Sequence, residues 1–301
     1  MSELAKVPIR LGYFYVMLAA VFWAASGSAA KFLFNSGMSP AQLVQIRTTI
    51  AAILLAVWIG SRRPSDLIIM RRDIWKILLL GIAIAATQYT YYFAISKIQV
   101  AAAILLQYQA PVFVVIYALV FMKERLTGTI LLSLTGAILG CYLLVGGYKL
   151  DLLHMNRAGV IGGLASALCF AWYSVGSAAA MQRYRSWTVV FYSLLIAAVI
   201  WNILLSPLGA FLQPQGLTQW WWTLFISIFG TVLAFGLYTR GIQMIRPTHA
   251  SITATLEPIT AGLFAYLFLK ESMEPLQITG AVIVVGAVLL LQLKREKTQQ
   301  A

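Results

Sequence analysis

From residue 12 to residue 293 the chain is a nearly unbroken series of apolar runs, each close to membrane length. A run of about 20 residues, coiled as a helix at 1.5 Å per residue, matches the hydrocarbon thickness of a bilayer. In hydrocarbon every backbone N–H and C=O needs an internal partner, so each run is predicted to be α-helical. Ten runs fit, near 12–34, 40–60, 74–96, 100–121, 127–146, 157–180, 186–206, 219–242, 247–269 and 275–293. Their connections are short, which makes neighbours antiparallel. The two longest are 61–73, with Arg62, Arg63, Arg71 and Arg72, and 207–218, with Pro207 and Pro214. Neither reads as a linker between separate domains. The expected class is an all-α membrane protein.

The charge pattern agrees. Only 10% of residues are charged, against about 25% in a soluble domain. The net charge of +13 raises nucleic acid as a partner. That reading fails because the basic residues cluster at the ends of apolar runs, where they anchor helices and set orientation. With the N-terminus in the cytoplasm, the inner segments collect Lys6, Arg10, the arginines of 62–72, Lys76, Lys123, Arg125, Arg183, Arg185, Arg240, Arg246, Lys294, Arg295 and Lys297. The outer ends hold only Lys31, Lys97, Lys149, Arg157 and Lys270. The bias puts both termini inside, and Trp220, Trp221 and Trp222 then start a span at the outer face. The basic start leads into a run of membrane length with no small-residue cleavage site, so it is read as the first span. Cys141 and Cys169 both lie inside apolar runs, without metal-ligand spacing, so no cofactor or metal is expected.

The chain also repeats itself. In SITATLEPITAGLFAYLFLKE, Ser251 to Glu271, one carboxylate, Glu257, stands beside Pro258 within an apolar run. The same frame occurs in ILLQYQAPVFVVIYALVFMKE, Ile104 to Glu124, where Pro111, Lys123 and Glu124 match Pro258, Lys270 and Glu271. Trp23 through Ala30 matches Trp172 through Ala179, and Tyr91 through Ala103 matches Tyr238 through Ala250. Two units follow, 12–146 and 157–293. Five spans is an odd number, so the second unit sits upside down relative to the first. Inverted repeats of this kind hold their substrate near the bilayer midplane, where the units meet.

Ten spans in two inverted five-span repeats resemble the drug/metabolite transporter superfamily, and within it the EamA family. The paired Pro-x11-Lys-Glu units carry the likeness, with Leu256-Glu257-Pro258 as an acid-proline pair in span nine and Trp23 to Lys31 as a span-one signature. The resemblance implies a bacterial inner-membrane transporter that exports amino acids or other small metabolites. It also implies that a proton gradient or the substrate's own gradient drives export.

Candidate site residues come from depth. Glu257 lies about 15 Å from the end of its span, near the bilayer centre. An ionisable group there is disfavoured by about 2.5–3.5 kcal/mol on insertion scales, so it usually has a function. Two readings stand: a contact for a substrate ammonium or an exchanging proton, and a structural hydrogen bond across the repeats. Thr253 lies one turn before it. Arg47 is the other deep charge, about 10 Å down. It either reaches a substrate carboxylate or Glu257, or snorkels to the headgroups. Arg240 is read as snorkelling. Mid-span Trp23 and Trp172 occupy matched places, and Tyr89, Tyr92, Tyr108 and Tyr173 are also deep. Gln107 belongs to a polar island before Pro111, and Ser177 is the span-six member of the repeated Gly-Ser pair. Gly27, Gly162, Gly163 and Gly176 are expected to let helices approach closely, as are Gly136, Gly140, Gly280 and Gly286, which would also suit a dimer contact. His154 and His249 are read as structural.

The sequence thus predicts a transporter, monomeric or homodimeric, for a small amphipathic solute, with membrane lipid as its surroundings. Its cavity would be walled by spans one, three, four, six, eight and nine, and it would work by alternating access. A lipid carrier or flippase of the same fold is the alternative. An enzyme is not expected, because no nucleophile-base pair or paired carboxylate accompanies Glu257.

Overall fold

The computed structural model describes residues 9–124, 126–151, 155–213, 216–269 and 273–300. Expectations for Lys6, Arg125, His154, Pro214, Lys270 and Glu271 lie outside the described residues, as do those for the side chains of Lys294, Arg295 and Lys297. The described residues are helical and contain no strand.

In chain order the helices are α1 (Ile9–Asn35), α2 (Pro40–Arg62), α3 (Ile74–Lys97), α4 (Val100–Gln107), α5 (Ala110–Val120), α6 (Gly128–Leu144), α7 (Arg157–Ala180), α8 (Ser186–Leu204), α9 (Leu217–Ser227), α10 (Ala234–Met244), α11 (Pro247–Ala254), α12 (Glu257–Leu269) and α13 (Pro275–Gln300). A π-helical turn, Ile228–Leu233, joins α9 to α10 without a break. Among the described residues, eight runs are long and apolar enough to cross a membrane. Helix α6, with 17 residues, is shorter.

Local chemistry sets the boundaries. The chain leaves α1 through Gly37, whose φ of +93° an L side chain rarely adopts. It enters α2 through a capping box in which Ser39 and Gln42 satisfy each other's backbone N–H, with Pro40 at the first position. The Thr127 hydroxyl caps α6 by accepting from the Ile130 N–H, and the Asn156 side chain caps α7 by accepting from the Gly159 N–H.

Two expected spans are broken rather than merely strained. Pro111 and Pro258 lack the N–H that a continuous helix would aim at the carbonyls of Gln107 and Ala254. The chain makes tight turns instead, with Gln109 N–H donating to the Leu106 carbonyl at 3.1 Å and Leu256 N–H to the Thr253 carbonyl at 3.2 Å. The run 100–120 becomes α4 and α5, and the run 247–269 becomes α11 and α12.

Small residues set the closest approaches. Helices α6 and α13 pair at the edge of the bundle, where a Cβ on Gly280 would fall 2.5 Å from the Gly140 carbonyl oxygen. That glycine face is therefore used within the chain. Helix α1 lies on α10 through Gly12 and Gly241, and α3 lies between α7 and α8. Gly162, Gly163 and Gly176 pack as expected, but Gly27 and Gly286 have open space where a Cβ would stand.

The two ends of the bundle are tied by polar contacts. At one, Asp73 takes two 3.0 Å hydrogen bonds from Arg183 and one of 2.9 Å from Tyr184. At the other, Gln45 reaches Asn202 at 3.0 Å and the Ser206 carbonyl at 2.9 Å. Arg240 is exposed and bonds Gln243. His249 is buried, with its Nδ1 2.6 Å from the Tyr13 hydroxyl.

Candidate functional site

The broken helices meet at a central cavity. It encloses about 770 Å³ of empty space, mouth included, of which the centres of water molecules can occupy about 90 Å³. A single water needs roughly 10–15 Å³ on that measure, so several waters or one small solute fit. Gln107, Tyr108, Ala110 and Pro111 at the first break, and Ala254 and Glu257 at the second, form part of the wall. Irregular backbone at membrane depth is tolerated where it lines such a space.

Glu257 faces this space from the first turn of α12. The partial positive charge of a helix N-terminus favours a carboxylate there. Tyr108, inside the other break, donates its hydroxyl proton to Glu257 Oε2 at 2.6 Å. Among the described residues, Glu257 has no cationic partner.

Arg47 reaches the same cavity from α2 and is 5% exposed. It turns inward rather than to the headgroups, and it does not pair with Glu257. Its Nε donates to Thr231 Oγ1 at 2.9 Å, Nη1 to the Tyr92 hydroxyl at 2.5 Å and Nη2 to the Gly230 carbonyl at 3.0 Å. All three acceptors are neutral. Gly230 and Thr231 belong to the π-helical turn, where a wider winding offers groups that an α-helix would use itself.

The remaining wall is aromatic and amide. Trp23 meets Phe170 and Phe235 edge-on, with ring centroids 5.7 and 5.2 Å apart. Gln107 faces the cavity, and its Oε1 accepts from Ser166 at 3.2 Å. Six expected residues therefore line one space: Trp23, Arg47, Tyr92, Gln107, Tyr108 and Glu257.

Five others do not line it. Trp172 is 47% exposed and meets Tyr117 edge-on. Its rotation about α7 turns it away, and Phe170, two residues earlier, takes the wall position. Tyr89 is 37% exposed and packs on Phe93 and Trp201, because it is one residue out of phase with Gln88 and Tyr92. Tyr173 is buried against Thr239, 3.3 Å between hydroxyls. Thr253 donates to the His249 carbonyl at 2.7 Å within its own helix. Ser177 is fully buried on α7. The sequence reading did not include Ser26, Gln88, Tyr91, Phe235 or Ser251, all of which line the cavity. Gln88 was detectable as a lone amide in the middle of an apolar span.

Comparison with known proteins agrees with this architecture. The chain is 26% identical over 301 residues to the uncharacterized inner membrane transporter YicL of Salmonella typhimurium, covering 97% of this chain and 98% of that one. It is 23% identical over 302 residues to the threonine/homoserine exporter RhtA of Escherichia coli K12, covering 98% and 96%. A crystal structure at 18% identity superposes with a TM-score of 0.80, covering 95% of this chain and 98% of that one, and shares the fold. The pattern of the EamA-like transporter family matches residues 10–146 and again residues 157–293. The chain is a multi-pass membrane transporter of the EamA-like family.

Proposed function

We propose that this transporter exports small zwitterionic or neutral amphipathic metabolites, amino acids first, across the inner membrane. The single observation that carries the reading is Glu257. Among the described residues it is the one carboxylate facing a solute-sized cavity, from a helix N-terminus, with Tyr108 as hydrogen-bond donor and no counter-charge. A desolvated carboxylate without a cation suits a ligand that brings one. Aromatic walls with a few fixed polar groups suit an amphipathic solute. The threonine/homoserine exporter among its relatives supports the amino-acid class.

The mechanism proposed is alternating access between two inverted five-helix units, 12–146 and 157–293, in a ten-span chain with both termini cytoplasmic. The matched breaks at 108–109 and 255–256 and the two family matches support that division. Glu257 would exchange the substrate ammonium for a proton on each cycle. A lipid carrier needs a cavity that accepts acyl chains, and the charged and amide groups of this one favour a polar solute.

The test is counterflow in proteoliposomes with a panel of labelled amino acids, with and without a pH gradient. Saturable flux of at least one member, coupled to the gradient, is expected. No saturable flux for any member overturns the substrate class. Accessibility labelling of single cysteines at the two termini tests the orientation.

A further inference from the structure

A buried polar group without a partner is unfavourable, and folded proteins contain few of them. Two cavity-lining side chains break that rule. Gln88 is 5% exposed, and among the described residues neither its Nε2 nor its Oε1 has a hydrogen-bond partner. Ser26 is 4% exposed, and its Oγ has none among the described residues. Arg47 is a third anomaly, since its buried charge meets only neutral acceptors. A guanidinium offers five N–H donors, and two of them remain after these three bonds.

The three groups converge. Tyr92, which accepts from Arg47, lies one turn after Gln88 on α3, so both stand on one helix face. Gly230, whose carbonyl also accepts from Arg47, lies against Ser26: a Cβ built on Gly230 would fall 2.0 Å from Ser26 Oγ. Arg47, with two N–H groups left over, Gln88 and Ser26 therefore stand side by side in one part of the cavity wall. Donors of this kind around a positive charge fit a planar carboxylate, which accepts two parallel bonds from an arginine fork.

We propose that Arg47, Gln88 and Ser26 form a carboxylate-binding subsite, separate from Glu257, so that the transported solute carries a free carboxylate as well as an amine. The inference rests on the cavity being the transport site. Glu257 and Tyr108 take the ammonium, the Arg47 group takes the carboxylate, and the aromatic wall of Trp23, Phe170 and Phe235 takes the side chain. Gln88 and Ser26 determine specificity, because neither has a hydrogen-bond partner among the described residues that would compete with the carboxylate.

The experiment uses the purified full chain in detergent. Melting temperature is measured against each of the twenty L-amino acids, and then against the α-amide and methyl ester of the tightest binder. Ligands that bind the folded state raise the melting point with concentration, which yields relative affinities. The wild type is expected to prefer the acid over the amide and ester by at least about 10-fold. Gln88→Leu and Ser26→Ala should each lower that ratio by about 3- to 10-fold while leaving ester affinity unchanged. Without ligand, Gln88→Leu should melt at or above the wild-type temperature, because it breaks no hydrogen bond among the described residues. A merely structural Gln88 would instead lower the empty protein's melting point and leave the ratio intact, which overturns the proposal. Equal binding of acid, amide and ester by the wild type overturns the subsite and spares the cavity. No response to any amino acid overturns the reading of the cavity, and the subsite with it.

Discussion

Glu257→Gln separates a charge that serves transport from a hydrogen bond that holds the fold. The amide has nearly the same shape and keeps an oxygen for the Tyr108 hydroxyl, now 2.6 Å from Oε2. What changes is the charge. Insertion scales disfavour an ionised group at this depth by about 2.5–3.5 kcal/mol, and the N-terminus of α12 returns about 0.3–2 kcal/mol of that. The variant should therefore be more stable than wild type by about 0.5–3 kcal/mol, read as a higher melting temperature in detergent. Ligand binding should move the other way. A hydrogen bond to a charged group contributes about 1.5–3 kcal/mol and a neutral one about 1 kcal/mol. The loss of about 0.5–2 kcal/mol corresponds to about 2- to 30-fold in Kd for an amine-bearing substrate. Uphill flux driven by a pH gradient should vanish, while downhill counterflow persists at reduced affinity. A variant that melts lower than wild type, with Kd and pH profile unchanged, would show that Glu257 is a structural group and refute this reasoning.

Three further outcomes are expected. Gly27→Val adds bulk where a Cβ meets nothing within 4 Å; the protein should melt within about 0.5 kcal/mol of wild type, yet bind the larger amino acids more weakly in the same ligand titration. Gly280→Ala drives a methyl to 2.5 Å from the Gly140 carbonyl oxygen and should destabilise the α6–α13 pair by about 1–3 kcal/mol, with Gly286→Ala as the neutral control. Outside the spans, hydrogen bonds from Lys149 and Tyr148 hold the Glu274 carboxyl below the usual carboxylate range, and Glu274 in turn raises Lys149. A lowered acid contributes stability above its unfolded value of about 4.3 and loses it as pH falls further; a raised lysine contributes below its unfolded value of about 10.4 and loses it as pH rises through the folded one. Melting curves of Glu274→Gln should lack both the small acid loss and the small alkaline loss seen in wild type.

What could be read in advance follows from how far each signal depends on three dimensions. Helical class was legible because twenty-residue apolar runs leave the backbone no other choice. The prolines at 111 and 258 announced disturbed helices, and their equal distance from matched residues announced that the disturbances belong together. The rotation of each helix about its axis was not legible. Tyr89 and Tyr92 looked equivalent as deep tyrosines, but the wall of α3 centres on Gln88, Tyr91 and Tyr92, and Tyr89, about 100° round the helix from Gln88, falls past its edge. Trp172 looked equivalent to Trp23 because the repeat matches them, yet only Trp23 lines the cavity. The π-helical turn at 228–233 left no mark that a hydropathy pattern carries. Without it the inward path of Arg47 was invisible, since its acceptors, Gly230 and Thr231, are exposed by that winding.

The matched breaks also bear on why one half carries the acid. Position 257 opens α12, and its counterpart 110 opens α5, each just ahead of a proline. Both breaks offer a helix N-terminus, so both can favour an anion. The first half places Ala110 there and spends its polar groups on Gln107 and Tyr108 instead, and Tyr108 crosses the cavity to meet Glu257. A second carboxylate at 110 would face the first across the same small space, and like charges so placed cannot both stay ionised. With one acid, the cavity has a single negative charge to neutralise, and an amine or a proton suffices. The asymmetry between otherwise repeated halves is thus what lets a site at the seam bind one cation at a time and release it.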